Sequence, residues 1–123
     1  MPLSVVLATF NEAVNLARCL DSVKAIANEI VISDGGSTDG TQEIAKKFKA
    51  KLYYLPNNPL NFHINKNNAI DHAKGEWILQ LDADEVVSPE LSSEIKSTIM
   101  RSSGINGYWM PRRNWFLTRF LTK

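Results

Sequence analysis

The sequence has little of several features that define protein classes. It contains one cysteine, Cys19, so an internal disulfide framework is excluded, and a lone thiol is typical of a reducing cytosol. A formal net charge of +1 excludes a uniformly basic nucleic-acid coat, and we expect no nucleic-acid partner. No basic region precedes the first apolar run, which stops at Asn11, so we expect neither a signal peptide nor a membrane span.

Several nucleotide-binding motifs are also missing. A dinucleotide site would need G-x-G-x-x-G after the first apolar run, where the sequence has Thr-Phe-Asn-Glu-Ala, and no Walker A motif occurs. His63 and His72 lack the spacing of paired metal ligands, and no Ser-His-Asp grouping is recognisable. Dinucleotide, P-loop and hydrolase chemistry are therefore not indicated.

Short apolar runs alternate with segments of helical periodicity. Strands are predicted at residues 3–10, 29–33, 51–55 and 77–81, with a fifth beginning at 108–110. Helices are predicted from Glu12 to Ala27, at 41–48, at about 62–73, and from the N-cap Ser88 to about Met100. In the first helix, an apolar stripe from Val14 to Ala27 is expected to face the core.

This alternation predicts an α/β fold. Successive βαβ units build an open, mainly parallel sheet with helices on both faces. A chain of 123 residues with 44% hydrophobic residues corresponds to one globular domain, residues 1–123. Its charge is uneven, because residues 96–123 hold six basic residues, five aromatic residues and no carboxylate. This basic, aromatic tail would contact something anionic, such as a membrane surface, or open a further region.

Polar clusters follow three of the predicted strands, where ligands of open α/β sheets bind. The first is Thr9 to Glu12. The second, residues 34–41, has glycines that allow close backbone approach, Asp39 to cap the next helix, and Asp34 free to accept a hydrogen bond from a base or ribose. Taken alone, the second cluster is equally explained as a turn followed by an N-cap.

The third cluster places two carboxylates, Asp82 and Asp84, one residue apart after a buried strand. Both can turn towards one hard divalent cation that also grips a diphosphate, and oxygen-only ligands favour Mn²⁺ or Mg²⁺. The alternative is a solvated acidic loop, since a D-x-D match is common by chance. Lys66 can reach a phosphate from the third helix, although an exposed lysine more often serves solvation.

Together these segments resemble a known family. SVVLATFNEAVNLARCLDSV, EIVISDGGSTDGT and NKNNAIDHAKGEWILQLDADE, in this order and spacing, are similar to the family 2 glycosyltransferases, which are inverting enzymes of the GT-A fold with nucleotide-sugar donors. The PRRNWF stretch at 111–116 further resembles bacterial enzymes that add sugars to the lipopolysaccharide core.

The resemblance implies a role for each matching residue. Thr9, Asn11 and Glu12 would lie against the nucleotide, and Asp34 would accept a hydrogen bond from a uracil-type base. Many relatives have a second Asp after the first, where this sequence has Gly35. Lys66 would lie near the diphosphate. Asp84 would ligate the metal directly, with Asp82 nearer the ribose or metal.

The implied reaction is an in-line displacement from a nucleoside-diphosphate sugar, which we expect to be a UDP-sugar, onto a cell-envelope glycan or lipid-linked acceptor. A carboxylate base would deprotonate the acceptor. The last carboxylates, Glu90 and Glu94, do not match the family's base motif, so the catalytic base is unassigned. We therefore expect a donor-binding N-terminal region, incomplete on its C-terminal side, in the cytoplasm at the periphery of the inner membrane.

Two other functions remain open at this stage. A sugar-phosphate nucleotidyltransferase would need a basic, glycine-rich loop after the first strand, where Asn11 and Glu12 stand. A non-catalytic nucleotide-binding or membrane or protein interaction module would use the basic, aromatic tail as its docking segment.

Overall fold

The computed structural model describes residues 2–58, 60, 63–101, 107–109 and 119–122. Within these ranges strands and helices alternate, and two short strands follow the last helix. The strands are β1 (Leu3–Thr9), β2 (Glu29–Asp34), β3 (Lys51–Tyr54), β4 (Trp77–Gln80), β5 (Gly107–Trp109) and β6 (Arg119–Thr122). The helices are α1 (Ala13–Val23), α2 (Thr41–Lys47), α3 (His63–His72) and α4 (Pro89–Arg101).

The described strands form one sheet in the order β3-β2-β1-β4-β6-β5. β1 lies between β2 and β4 and is parallel to both, and β3 is parallel to β2. β6 runs antiparallel to β4, and β5 antiparallel to β6. The predicted α/β fold with an open, mainly parallel sheet is confirmed. In its register Thr9 lies opposite Asp34 and Asp34 opposite Tyr54, so the carboxyl ends of β1, β2 and β3 are level.

Helices cover both faces of the sheet, as predicted. Alternate strand residues point to opposite faces, so β1, β2 and β4 each contribute to two separate packing layers. The layer against α1, α2 and α4 is the larger and includes Leu3, Val5, Leu7, Ile32, Leu79, Leu16, Leu20 and Ile95. The layer against α3 is built from Val6, Val31, Ile78, Ala69 and Ala73. Burial on both faces explains why the central strands are almost continuously apolar.

The predicted stripe of α1 is partly wrong. The helix buries Leu16, Cys19, Leu20 and Val23, whereas Val14 is 93% exposed. Val14 precedes Leu16 by two residues, or about 200° around the helix, so its side chain faces away from the buried stripe. The helix also ends at Val23, earlier than predicted, and a turn carries the chain to β2.

Other element boundaries differ from the predictions by a few residues. α4 begins at Pro89, and the hydroxyl of Ser88 accepts a hydrogen bond from the N–H of Leu91 at 3.1 Å, as its predicted N-cap role requires. β5 corresponds to the predicted fifth strand, but β6 was not predicted. Phe62, Met110 and most of the basic, aromatic tail lie outside the described residues.

Candidate functional site

Asp34, at the end of β2, is 1% exposed and has a full set of hydrogen-bond donors. Its Oδ1 accepts from the hydroxyls of Thr9 (2.6 Å) and Ser37 (2.7 Å). Its Oδ2 accepts from the N–H groups of Gly36 (3.0 Å) and Ser37 (2.8 Å) and from Gln42 Nε2 (3.1 Å). Burial raises the pKa of Asp34, but these hydrogen bonds outweigh it and hold the pKa below its usual range. The expectation of a free Asp34 is not met, because both oxygens already have donors.

Asn11 and Glu12 join the loop after β1 to the loop after β2. Asn11 has a φ of 54°, a left-handed conformation that asparagine tolerates better than most residues. Its N–H donates to Ser37 Oγ and its Oδ1 accepts from the N–H of Thr38, both at 2.8 Å. The N–H of Glu12 donates to Thr41 Oγ1 at 2.8 Å. The two polar clusters therefore form one hydrogen-bonded unit at the carboxyl edge of the sheet.

Asp39 connects the first turns of two helices. Its Oδ2 accepts from the N–H of Ala13, the first residue of α1, at 3.1 Å. Its Oδ1 accepts from the N–H of Thr41, the first residue of α2, at 2.9 Å, and from the Thr41 hydroxyl. Hydrogen bonds from Thr41 lower the pKa of Asp39, as expected for a carboxylate at two helix N-termini. The predicted cap is corrected, because Gly40 is the N-cap of α2 and Asp39 precedes it; the Asp39 carboxylate nevertheless accepts from the first N–H of both helices.

The acidic loop after β4 exposes its two aspartates on either side of a buried residue. Ala83 is 2% exposed, and Asp82 and Asp84 are both exposed. Two hydrogen bonds between Asp82 and Glu85 close the loop. The N–H of Asp82 donates to Glu85 Oε1 at 2.7 Å, and the N–H of Glu85 donates to the Asp82 carbonyl at 3.0 Å. On the side of α1, the thiol of Cys19 donates to the Asp82 carbonyl at 3.6 Å. The small Ala83 side chain allows this close packing.

α3 brings a positive charge to the same edge. Asn65 and Asn68 both bond to Ser33 of β2, and Asn65 Nδ2 also donates to the Leu55 carbonyl at 3.1 Å. The helix is thereby held against the sheet with Lys66 above the ends of the strands. The Lys66 ammonium lies 3.2 Å from Asp82 Oδ1. The structure thus pairs two residues that the sequence separates by a strand and a helix.

A cavity of about 310 Å³ opens between these elements at the carboxyl edge of β1 and β4. Of the predicted site residues, three lie on its wall, and the others lie beside it in the joined loops or the acidic loop. The wall is formed by Ala8, Thr9, Phe10, Asn57, Asn65, Lys66 and Asp82. This is the location that the topology of an open α/β sheet favours for a ligand.

Negative charge accumulates beside the cavity. Partial burial raises the pKa of Glu12, and the nearby carboxylates of Asp84, Asp82 and Asp39 raise it further. Carboxylates from three separate loops therefore interact electrostatically. A bound cation would relieve their mutual repulsion.

The residues present fit a hard divalent cation that is shared with a ligand. Among the described residues, no group of three or more His, Cys, Asp and Glu side chains is placed to hold a metal ion. The acidic loop nevertheless offers two carboxylates, and Mg²⁺-like ions commonly bind through one or two carboxylates together with substrate phosphates. Within the described ranges the Asp84 side chain forms no hydrogen bond or ion pair, so its oxygens are available.

Four residues of the cavity wall, Ala8, Phe10, Asn57 and Asn65, were not assigned a site role from the sequence. Phe10, 44% exposed, follows Thr9 directly, and Asn65 precedes Lys66. Asn57 comes from the loop after β3, whose end is level with those of β1 and β2. The signal for Asn57 was its position after a strand, the same signal that identified the other three clusters.

The sequence profile of glycosyl transferase family 2 matches residues 4–120. The chain belongs to this family. The predicted family is thereby confirmed. An uncharacterized glycosyltransferase of Rickettsia bellii is 40% identical over 94 residues, covering 76% of this chain and 31% of the relative. The lipopolysaccharide core biosynthesis glycosyltransferase LpsC of Rhizobium meliloti is 29% identical over 122 residues, covering 95% of this chain and 44% of LpsC.

Solved structures support the fold. Residues 1–349 of S. aureus TarS, in complex with UDP, match with a TM-score of 0.71 and 25% identity over 91% of this chain and 38% of that one. The mannosyltransferase PcManGT of Pyrobaculum calidifontis, in complex with GDP-Man and Mn²⁺, matches with a TM-score of 0.73 over 98% of this chain and 44% of that one. At 18% identity the second likeness shows the fold alone.

The chain is short relative to this family. It spans about a third of the length of the first curated relatives it matches. Among the described residues, no helix has both the length and the apolar character needed to span a membrane.

Proposed function

We propose that this chain is the nucleotide-sugar-binding region of an inverting glycosyltransferase whose donor is a UDP-linked sugar. The observation that carries the proposal is the cavity at the carboxyl edge of the sheet, which has a lysine and an aspartate on its wall and an acidic loop beside it. A diphosphate needs both a cationic side chain and a divalent cation, and this arrangement offers Lys66 for the first and Asp82 with Asp84 for the second. The UDP complex of TarS, a protein of the same fold, supports the choice of UDP.

Each site residue would contact a different part of the nucleotide. Thr9, Asn11 and Glu12 border the nucleoside, and Lys66 binds the diphosphate. Asp34 holds Thr9 and the 36–37 loop in place. A base that bonds directly to Asp34 must displace one of its donors, and Gln42 Nε2, at 3.1 Å the longest of these contacts, is the easiest to replace.

Asp82 and Asp84 would hold Mn²⁺ or Mg²⁺, which supplies positive charge that stabilises the departing nucleoside diphosphate. The Mn²⁺ and GDP-Man complex of PcManGT is consistent with that role in a protein of the same fold. The chain's own residues bind and orient the donor: Lys66 neutralises a phosphate, and Ala8 and Phe10 form the apolar part of the cavity wall.

The acceptor and the catalytic base are assigned to the remainder of a longer protein. Glu90 and Glu94 are exposed on α4, away from the cavity wall, and neither is placed to deprotonate an acceptor in it. We propose residues 1–123 as the donor-binding region and a cell-envelope glycan or lipid-linked sugar as the acceptor. The relative LpsC, named for lipopolysaccharide core biosynthesis, supports this acceptor class. Such an acceptor would place the protein in the cytoplasm, in peripheral contact with the inner membrane.

Thermal unfolding of the purified chain with UDP, with and without Mn²⁺, tests the donor site. A ligand that binds only the folded state raises the melting temperature, and we expect a rise that requires both components. Asp84→Ala should abolish the rise, because the cation loses a ligand. Asp21→Ala, which removes an exposed carboxylate paired with Lys24 outside the site, should retain it. A cooperative melt that is indifferent to UDP and Mn²⁺ would overturn the proposal and favour an interaction module.

A further inference from the structure

We propose that Lys66 is an exchangeable counter-ion: it neutralises Asp82 in the ligand-free chain and transfers to the diphosphate when a divalent cation takes its place. Lys66 would thereby make cation and nucleotide bind cooperatively and discourage the cation from binding alone. This inference rests on the proposed function and adds to it an order of events and a measurable coupling.

The backbone of Lys66 is held in place, whereas its ammonium lies at the end of a long side chain that can reach more than one partner. The backbone of Lys66 is anchored by its neighbours Asn65 and Asn68, which bond to Ser33 and hold α3 on the sheet. Its long side chain, 24% exposed, reaches Asp82, whose side chain is 57% exposed at the mouth of the cavity. The ammonium can therefore swing between partners without any change in the fold.

The carboxylates around Lys66 explain why a positive charge is favourable at this position. Asp82, Asp84, Asp39 and Glu12 interact electrostatically at this edge. The ammonium 3.2 Å from Asp82 offsets part of their repulsion. It occupies the same carboxylate that a divalent cation would use.

A cation that binds Asp82 together with Asp84 would therefore compete with Lys66 for the Asp82 carboxylate. The displaced ammonium would then lie near a divalent charge, which is unfavourable unless an anion is present. A diphosphate in the same cavity supplies that anion, because Lys66 and Asp82 both line its wall. The free energy lost in breaking the ion pair is recovered only when cation and nucleotide are both bound, which is thermodynamic coupling.

Binding of Mn²⁺ to the 123-residue chain, followed by electron paramagnetic resonance with and without UDP, tests the exchange. For Lys66→Met we expect Mn²⁺ alone to bind about 5-fold more tightly, the factor for losing one partly exposed ion pair. We expect UDP at saturating Mn²⁺ to bind at least about 10-fold more weakly, because a charged hydrogen bond to the phosphate is lost. Lys66→Arg should restore the wild-type behaviour.

The matched control is Lys24→Met, which changes the net charge equally and breaks the Lys24–Asp21 ion pair on the exposed surface of α1. It should leave both affinities within about 2-fold of wild type, since exposed pairs contribute little. Circular dichroism melts verify folding, and Lys66→Gln replaces Lys66→Met if the latter does not fold.

In Lys66→Met, exchange predicts tighter binding of Mn²⁺ and weaker binding of UDP. A purely structural role of Lys66 would instead weaken the binding of both ligands. If Lys66→Met binds Mn²⁺ no more tightly than wild type while the wild type still binds UDP with Mn²⁺, the exchange is overturned and the donor site stands. If the wild type shows no Mn²⁺-dependent UDP binding, the proposed function fails, and the exchange fails with it.

Discussion

At the scale of single residues, Gly35 shows how the fold selects a residue type. A Cβ at position 35 would lie 2.7 Å from the Asn57 Cβ and 3.1 Å from its Cα, and the N–H of Asn57 donates to the Gly35 carbonyl at 3.1 Å. The loop after β3 thus packs directly on the end of β2, and Asn57 enters the cavity wall. Any side chain at this position would overlap Asn57 unless that loop moved.

We therefore expect Gly35→Ala to lower the free energy of unfolding by about 1–3 kcal/mol, the range for overpacking a buried site. Gly40→Ala is the control, because its Cβ would meet only the Ala13 Cβ at 3.9 Å. Urea unfolding followed by circular dichroism measures both. Equal free energies of unfolding for the two variants would contradict the packing explanation.

Cys19 is a second residue whose behaviour follows from its surroundings. Burial, together with the carboxylates of Glu85, Asp84, Asp82 and Glu12, raises the pKa of its thiol to about 12. Since the thiolate is the reactive form, we expect Cys19 to resist a disulfide reagent at pH 8 in the folded chain. In urea, one thiol per chain should react. Rapid reaction of the folded chain would show that the Cys19 thiol is not buried beneath the acidic loop.

At the scale of elements, α4 depends on its first turn as well as on its apolar face. Ile95 is fully buried against the larger packing layer, with Leu91 and Ile99 beside it. The Ser88 hydroxyl and carbonyl accept from the N–H groups of Leu91 and Ser92 at 3.1 and 2.8 Å. Each backbone donor satisfied in this way would otherwise need water.

Ser88→Ala should therefore lower the free energy of unfolding by about 1 kcal/mol, the usual loss for an N-cap hydroxyl. Ser93→Ala, at an exposed position within the same helix, should change it by less than about 0.5 kcal/mol, because alanine is a good helix former. Chemical denaturation distinguishes the two. A Ser93→Ala loss as large as that of Ser88→Ala would argue against capping.

At the scale of the whole molecule, the edge of the sheet opposite the cavity is held by Glu29. Its Oε2 accepts from Ser4 Oγ and the N–H of Lys74, both at 2.5 Å, and its Oε1 accepts from Lys51 Nζ at 2.8 Å. One carboxylate thus joins β1, β2, β3 and the chain entering β4. Burial raises the pKa of Glu29, but hydrogen bonds from Lys51, Ser4 and Lys74 prevail and lower it to about 2.

Acid should therefore destabilise the fold through Glu29. Because the folded-state pKa lies below the ordinary value of 4.5, the stabilisation is complete above about pH 4.5 and is lost as the pH falls towards 2. Its full size is of the order of 3 kcal/mol. The difference in unfolding free energy between wild type and Glu29→Gln should shrink over this range, whereas the difference for the exposed Glu76→Gln should stay near zero. A constant Glu29→Gln difference would refute the linkage.

Much of the architecture could be predicted because local pattern determines it. The first four strands and the four helices were predicted within a few residues, since apolar runs and three- to four-residue periodicity reflect burial directly. β6 was missed because it contains only two consecutive apolar residues, Phe120 and Leu121, which is too short a run to indicate a strand. Val14 was misplaced because it was counted with the apolar stripe, although at about 100° per residue it lies on the opposite side of the helix from Leu16 and Leu20.

For the candidate site, the sequence by itself determined which polar groups follow the strands, and therefore which edge of the sheet carries them, since parallel strands bring their carboxyl ends together. Only the tertiary structure decided how those groups are used. In the folded chain Asp34 accepts five hydrogen bonds, Lys66 forms an ion pair with Asp82, and Asn57 packs directly on Gly35. These outcomes depend on distances between residues far apart in the chain, which are set by how α3 and the loop after β3 pack on the sheet.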